Sequence, residues 1–268
     1  MVEAGTAGTA GQTHQAIAAR LIEAARTRRP VPPIRDDLGE GDVAAAYAVQ
    51  DLLTGHALAA GRRLIGRKIG LTSPVVQAQL GVDQPDYGAL FADMVVPDGG
   101  TLARDDLIAP RVEAEIVFVL GRDLPGLDTG AAQAAQAVDH VLAALEIVDS
   151  RIEGWRIGLV DTIADNASCG RIVLGTAPRR LGEVDLEACA MAMTKNGEAA
   201  SHGAGRDCMG SPLNALAWLA RTMAGLGQPL RAGQIVLSGA LGPMVAAAAG
   251  DRFEARIEGF DPVGVGFV

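Results

Sequence analysis

Ten residues, Arg111-Val-Glu-Ala-Glu-Ile-Val-Phe-Val-Leu120, constrain the fold more than any other stretch. β-Branched and aromatic side chains dominate them, Pro110 precedes them and Gly121 follows, so they read as a strand. Side chains two apart share one face of a strand. Arg111, Glu113, Glu115 and Val117 therefore fall on one side, and Val112, Ala114, Ile116 and Phe118 on the other. Neighbouring carboxylates repel unless something positive sits between them. The strand is either a polar-faced edge strand or one wall of a cation site, and the rest of the chain decides.

The 268 residues, 49% of them hydrophobic, suffice for a substantial core. Residues 1–62 read as a tail and helical segment, and residues 63–268 as one β-rich catalytic domain. The net charge of −9 and the 3% of aromatic residues speak against a nucleic-acid partner, which would want a basic face or a stacking platform. No apolar run is long enough for a bilayer and no basic-then-apolar leader opens the chain, so no membrane partner and a cytoplasmic location are expected. Cys169, Cys189 and Cys208 are too scattered for a disulfide framework or a zinc finger and read as buried free thiols.

Residues 1 to about 12, rich in Gly, Ala and Thr, read as disordered. Helices are expected over roughly 13–28, ended by the Pro-rich 29–33, and from the N-cap Asp42 to Gly61. Leu64–Leu71 reads as a strand with a buried Lys68, followed by a short helix Pro74–Leu80 capped by Ser73. Short strands follow at 87–91 and 95–96. The spacing of Val138, Val141 and Leu142 predicts a helix over 130–143, capped by Asp128 or Thr129, leading into a strand over 145–149. Residues 155–166 carry no clear pattern. A hairpin turns at Asn196-Gly197, a helix starts at Ser211-Pro212, and strands at 234–238, 252–258 and 263–268 finish the chain. Short strands clustered around a few helices predict an α+β fold with a mixed or antiparallel sheet rather than regular strand–helix alternation.

Glu146 stands inside a second apolar strand, so three carboxylates, Glu113, Glu115 and Glu146, interrupt otherwise apolar strands. Burying even one unpaired carboxylate costs several kcal/mol or raises its pKa. With no His or Cys beside them, the three suit a hard ion, Mg²⁺ or Mn²⁺, with coordination positions left over for substrate. Lys68 is the positive partner on a nearby strand, and a dication beside it would lower its pKa towards acid/base work near neutrality. Asp86 reads on its own as a turn residue and is the next candidate, Ser168 could meet a substrate carboxylate, and Arg111 could support the Glu residues or a substrate carboxylate. His14, His56, His140 and His202 are scattered; His140 is expected to face solvent from a helix.

Several stretches come in a familiar order: Gly66-Arg-Lys-Ile-Gly-Leu-Thr72, Gly81-Val-Asp-Gln-Pro-Asp-Tyr-Gly88, Leu90-Phe-Ala-Asp-Met94 and Arg111-Val-Glu-Ala-Glu115. Ala144–Arg151, Ala164–Gly170 and Gly239-Ala-Leu-Gly-Pro-Met244 follow. Together, from about residue 13 to the end, they resemble the 2-keto-4-pentenoate hydratase (2-hydroxypenta-2,4-dienoate hydratase) family of the fumarylacetoacetase-like group. The resemblance implies a mixed β-roll with N-terminal helices packed on it, and Mg²⁺ or Mn²⁺ on Glu113, Glu115 and Glu146. It implies catalytic roles for Lys68 and Asp86; Leu71, Arg111 and Ser168 are expected at the substrate beside them. It also implies a small 2-oxo acid substrate and a homo-oligomer, pentamer or decamer, with the next pathway enzyme as a possible partner. The expected reaction adds water to a 2-hydroxy-2,4-dienoate in aromatic meta-cleavage catabolism. A 4-oxalocrotonate decarboxylase, a related C–C hydrolase and a non-catalytic partner subunit are the alternatives; the intact carboxylate and lysine positions speak against the last.

Overall fold

A computed structural model describes residues 3–39, 41–73, 77, 82 and 84–268. Three helices open it: α1 (Glu3–Thr27), α2 (Arg35–Leu38) and α3 (Val43–Ala59). The Asp42 side chain caps α3 by accepting from Ala45 N–H at 2.9 Å. Among the described residues there follow, apart from short 3-10 turns, β1 (Leu64–Gly70), β2 (Asp86–Phe91), β3 (Val95–Val96), β4 (Thr101–Leu102), β5 (Arg111–Leu120), α4 (Ala131–Ala137), β6 (Val138–Val148), α5 (Leu159–Ala164), β7 (Cys169–Leu174), β8 (Ala190–Lys195), β9 (Glu198–Ala204), α6 (Pro212–Gly225), β10 (Ile235–Leu237), β11 (Val245–Ala246), β12 (Arg252–Ile257) and β13 (Val263–Phe267).

The strands make two curled sheets. One runs β2-β1-β10-β5-β6-β7-β3, with β11 added on β5; the other runs β4-β13-β12-β8-β9. Pairing is mixed: β1 with β10, β3 with β7 and β4 with β13 are parallel, and the rest antiparallel. The alternation along β5 organises the packing. Val112, Ala114, Ile116 and Phe118 are buried in a core shared with Phe253, Val265 and Phe267 of the second sheet and with the apolar face of α6. The opposite face of β5 carries Val117 into a second core with Ala144, Ile172 and Leu237. The Glu side chains project from that same face. Both faces of β5 are therefore covered, so it is an interior strand and not a solvated edge. The N-terminal helices form a third cluster, in which Ile17, Leu21, Ala46 and Val49 meet Val160 and Ile163 of α5.

Three expectations change. The helix expected over 130–143 stops at Ala137, with Gly130 in the cap position, and residues 138–143 are strand. Val138, Val141 and Leu142 satisfy helical spacing, but β5 needs a partner along its length, and pairing from Leu120↔Val138 to Arg111↔Val148 provides it. His140 accordingly sits on β6 with Nδ1 2.8 Å from Asp139 Oδ2, not on a helix face. The start of the chain is helical from Glu3 rather than disordered to residue 12; once residues 13–27 are helical, adding Ala-containing turns costs little because nucleation is already met. The short helix expected over 74–80 lies outside the described residues apart from Gln77.

Candidate active site

Strand register alone brings the carboxylates together. Glu113 pairs opposite Glu146 across β5 and β6, and Glu115 is two residues further along. One carboxylate oxygen from each of the three lies within 4.8 Å of the others. Glu115 and Glu146 are buried and Glu113 is half-buried. Glu115 Oε2 accepts from Gly239 N–H at 2.8 Å. Among the described residues, Glu115 Oε1 and both oxygens of Glu146 are buried without a hydrogen-bond partner, Glu146 Oε2 being ion-paired with Lys68 instead. Orphaned buried acceptors cost about 1–3 kcal/mol each, and more when charged. Three carboxylates gathered this closely, two of them with such oxygens and all hard donors with no imidazole among them, fit a divalent cation held between them.

The charge states follow from the burial. Burial, then the neighbouring Glu146, pushes the Glu113 carboxyl up to about 7 against the pull of Lys68. Burial, Glu146 and Glu113 together hold Glu115 well above the usual carboxylate range. Lys68 is 4% exposed, with Nζ 3.4 Å from Glu146 Oε2. Burial works against its charge, but attraction from Glu146 and Asp86 outweighs it and keeps the ammonium on, above its ordinary pKa. The lowering expected for Lys68 is tied to a dication, which would offset this field.

Asp86 begins β2 opposite Gly70 of β1. Its Oδ2 accepts from Thr162 Oγ1 at 3.3 Å, while its buried Oδ1 has no hydrogen-bond partner among the described residues. Burial is the main influence raising its pKa, with Lys68 opposing. A Cβ on Gly70 would lie 2.1 Å from Asp86 Oδ1 and 3.2 Å from Lys68 Nζ, so the two side chains converge over a position that only glycine leaves clear.

Lys68, Asp86 and Glu113 line a cavity of about 80 Å³ together with Leu71 and Ser168. Thr162 adds a hydroxyl 3.4 Å from Ser168 Oγ. Val148, Trp155, Ile157, Ala240 and Met244 supply apolar walls. Leu71, Trp155, Ala167 and Ser168, all lining it, have φ between 51° and 56°. Left-handed backbone at non-glycine residues costs of order 1–3 kcal/mol each and gathers at functional sites. Arg111 does not line the cavity; its guanidinium lies 4.5 Å above the Trp155 ring, and Trp155 does line it. A larger cavity of about 350 Å³, between the N-terminal helices and β7, holds none of the three Glu residues, Lys68 or Asp86.

Thr162, Trp155, Ile157 and Met244 escaped the reading of the sequence. The one signal for Thr162 was the polar pair Asp161-Thr162 inside apolar Leu159–Ala164.

Residues 66–265 match the fumarylacetoacetate (FAA) hydrolase C-terminal family model. The 2-keto-4-pentenoate hydratase 2 of Dechloromonas aromatica is 55% identical over 249 residues, 93% of this chain and 95% of that protein. The TodF product hydratase of Pseudomonas putida is 55% identical over 247 residues, 92% of each. Among solved structures, 4-oxalocrotonate decarboxylase from Pseudomonas putida G7, complexed with magnesium and adipate, superposes with a TM-score of 0.92 at 35% identity, covering 96% of this chain and 97% of that one.

Proposed function

We propose a function from the premise that this chain belongs to the fumarylacetoacetate hydrolase family: it is a hydratase that adds water to 2-hydroxypenta-2,4-dienoate, giving 4-hydroxy-2-oxopentanoate, in aromatic meta-cleavage catabolism. The observation that carries the assignment of the site is the gathering of Glu113, Glu115 and Glu146, with Glu115 Oε1 and Glu146 Oε1 buried and unpartnered among the described residues.

Glu113, Glu115 and Glu146 would hold a divalent metal ion, Mg²⁺ or Mn²⁺ by the hardness of the donors. When bound, the ion supplies Lewis-acid withdrawal of electrons from the substrate's oxygens. The chain's own residues do the rest. Ketonisation removes the proton of the 2-hydroxyl and places one on C5, leaving an unsaturated ketone. Water then adds its oxygen to C4, loses a proton, and C3 gains one. Asp86 Oδ1, an acceptor with no partner, takes the proton of the attacking water. Lys68, held as an ammonium, returns a proton to carbon. Thr162 donates to Asp86 Oδ2 and so helps to hold the carboxylate in place. Ser168 and Leu71 touch the substrate, and Arg111 acts on it through Trp155.

The decarboxylase is the second reading, favoured by the TM-score of 0.92. Its substrate carries a second carboxylate. Among the described lining residues, Val148, Trp155, Ile157 and Met244 form an apolar wall that offers no charge to receive it. That supports the hydratase. Purified protein with Mg²⁺ should bleach the ultraviolet absorbance of 2-hydroxypenta-2,4-dienoate, and EDTA should stop it. Untouched dienoate beside CO₂ release from 4-oxalocrotonate would hand the function to the second reading.

The proposal also includes a division at residues 62/63, a homo-oligomer (pentamer or decamer), contact with the next pathway enzyme, and a cytoplasmic location. Exposed Leu127 and Leu226 support subunit contacts, which light scattering on the purified chain would count. No helix among the described residues is long and apolar enough to cross a membrane.

A further inference from the structure

Gln50 does not line the cavity, yet it braces the two elements that carry the proton-transfer side of it. It sits on α3 and is 3% exposed. Its Nε2 donates to the Tyr87 carbonyl at 2.8 Å and to the Ile163 carbonyl at 2.8 Å. Those carbonyls belong to the residues immediately after Asp86 on β2 and Thr162 on α5. A carboxamide nitrogen carries two hydrogens, so one planar group serves both bonds and sets the spacing between β2 and α5. Thr162 Oγ1 closes the loop by donating to Asp86 Oδ2 at 3.3 Å. The brace thus runs from Asp86 through Tyr87, Gln50, Ile163 and Thr162 back to Asp86.

The same N-terminal segment holds both elements at other points. The Tyr47 ring of α3 stacks on Tyr87 at 4.5 Å between centroids. Asp161, buried on α5, accepts from Ile34 N–H at 2.8 Å and Arg35 N–H at 3.0 Å. Five residues of α5 in succession are buried, and α1 and α3 from the start of the chain pack against it. By contrast the carboxylate triad rests on β5 and β6, which pair with each other and need nothing from α3.

We propose that Gln50 is a positioning residue: it fixes the separation of β2 and α5, and so the direction in which Asp86 Oδ1 points, while leaving metal binding to the other half of the site. The inference rests on the role proposed above for Asp86. It makes the helical segment before β1 a working part of the active site rather than an attachment to it.

The test is steady-state hydration of 2-hydroxypenta-2,4-dienoate by the full chain with Mg²⁺, comparing Gln50→Leu with Leu21→Ala. Leu21 is a buried neighbour in the same helical cluster and takes no part in the brace. Misplacing a reacting group by 1 Å costs on the order of 10²-fold. Gln50→Leu should lose that much kcat, with KM and the Mg²⁺ midpoint close to those of the parent protein. Leu21→Ala should lose thermal stability and keep kcat. Thr162→Val, which removes another side of the brace and leaves α3 intact, should show the same split between kcat and KM if Gln50→Leu does not fold. The double variant should lose little more than the worse single one, because both break one loop. A kcat in Gln50→Leu equal to that of Leu21→Ala, or KM and Mg²⁺ midpoint drifting in step with stability, overturns the inference. Asp86→Asn separates the two levels: undiminished turnover sinks the role of Asp86 and this inference with it, whereas a dead Asp86→Asn beside an undiminished Gln50→Leu sinks the inference alone.

Discussion

Stripping the cation should make the protein's stability fall as pH rises, and restoring it should reverse that trend. The Glu113 carboxyl, pushed up to about 7 by burial and Glu146, is protonated more readily in the folded chain than in the unfolded one, where its ordinary value is 4.5. A raised folded pKa contributes stability that is fully present below the unfolded value and is lost as pH climbs through the folded one. At about 1.4 kcal/mol per pKa unit, Glu113 alone takes away at most about 3 kcal/mol between pH 4.5 and pH 8. Glu115 acts in the same direction. For a chain of this size about 3 kcal/mol corresponds to roughly 6–12 °C in Tm. A cation takes only ionised carboxylates, so its stabilisation must grow over the same window. Asp165, raised to about 6 by burial beside Arg151, also costs stability as pH rises, but it does so with or without metal. The difference between Mg²⁺-loaded and EDTA-treated protein therefore isolates the triad. Scanning calorimetry of both forms from pH 5 to 8.5 measures it, and Glu113→Gln should flatten the Mg²⁺-free curve. A metal-induced Tm shift that stays constant across this range would refute the reasoning, because the triad would then be fully ionised in the metal-free protein.

Gly70→Ala should abolish turnover while leaving Mg²⁺ binding measurable by calorimetry, since its Cβ would displace Asp86 Oδ1, 2.1 Å away, and not the triad. Lys68→Met removes the ammonium paired with Glu146, and breaking a buried pair costs about 3–5 kcal/mol. Excess Mg²⁺ should return part of that stability in a melting experiment but none of the turnover. Met244→Ala enlarges the apolar lining, and one methylene is worth about 10–200-fold in discrimination. Its ratio of kcat/KM for 2-hydroxyhexa-2,4-dienoate over the five-carbon substrate should rise by about tenfold, read from the same ultraviolet assay.

The carboxylate half of the site was legible because it breaks a rule. Glu113, Glu115 and Glu146 interrupt runs of Val, Ile and Leu, and period-two alternation puts the first two on one face without further information. Residues 138–143 were misread because Val138, Val141 and Leu142 fit a helix locally. Only the length of β5, nearly twenty residues earlier in the chain, makes them strand. Residues 155–166 gave no pattern for a similar reason. The partners of Asp161 are backbone amides of Ile34 and Arg35, 127 and 126 residues away, and no local periodicity encodes such a bond.

The two halves of the site differ in how they are held, and that difference sets what each can tolerate. The carboxylates stand on adjacent strands whose register is fixed by ten paired positions, so their mutual distances survive changes elsewhere. Asp86, Thr162 and Ser168 stand on the first residue of a strand, a six-residue helix and a left-handed turn. None of these short elements fixes its own geometry, since a six-residue helix is far below the length that is stable in isolation. Their positions are set by Gln50, Asn166 and Asp161, whose side chains bond backbone groups from distant segments. Selection for metal binding can therefore act on three charged residues, while selection for turnover must also act on buried amides and hydroxyls that never touch the substrate. A charge out of place announces itself in a sequence. A neutral donor in the right place does not, and half of this active site is made of the second kind.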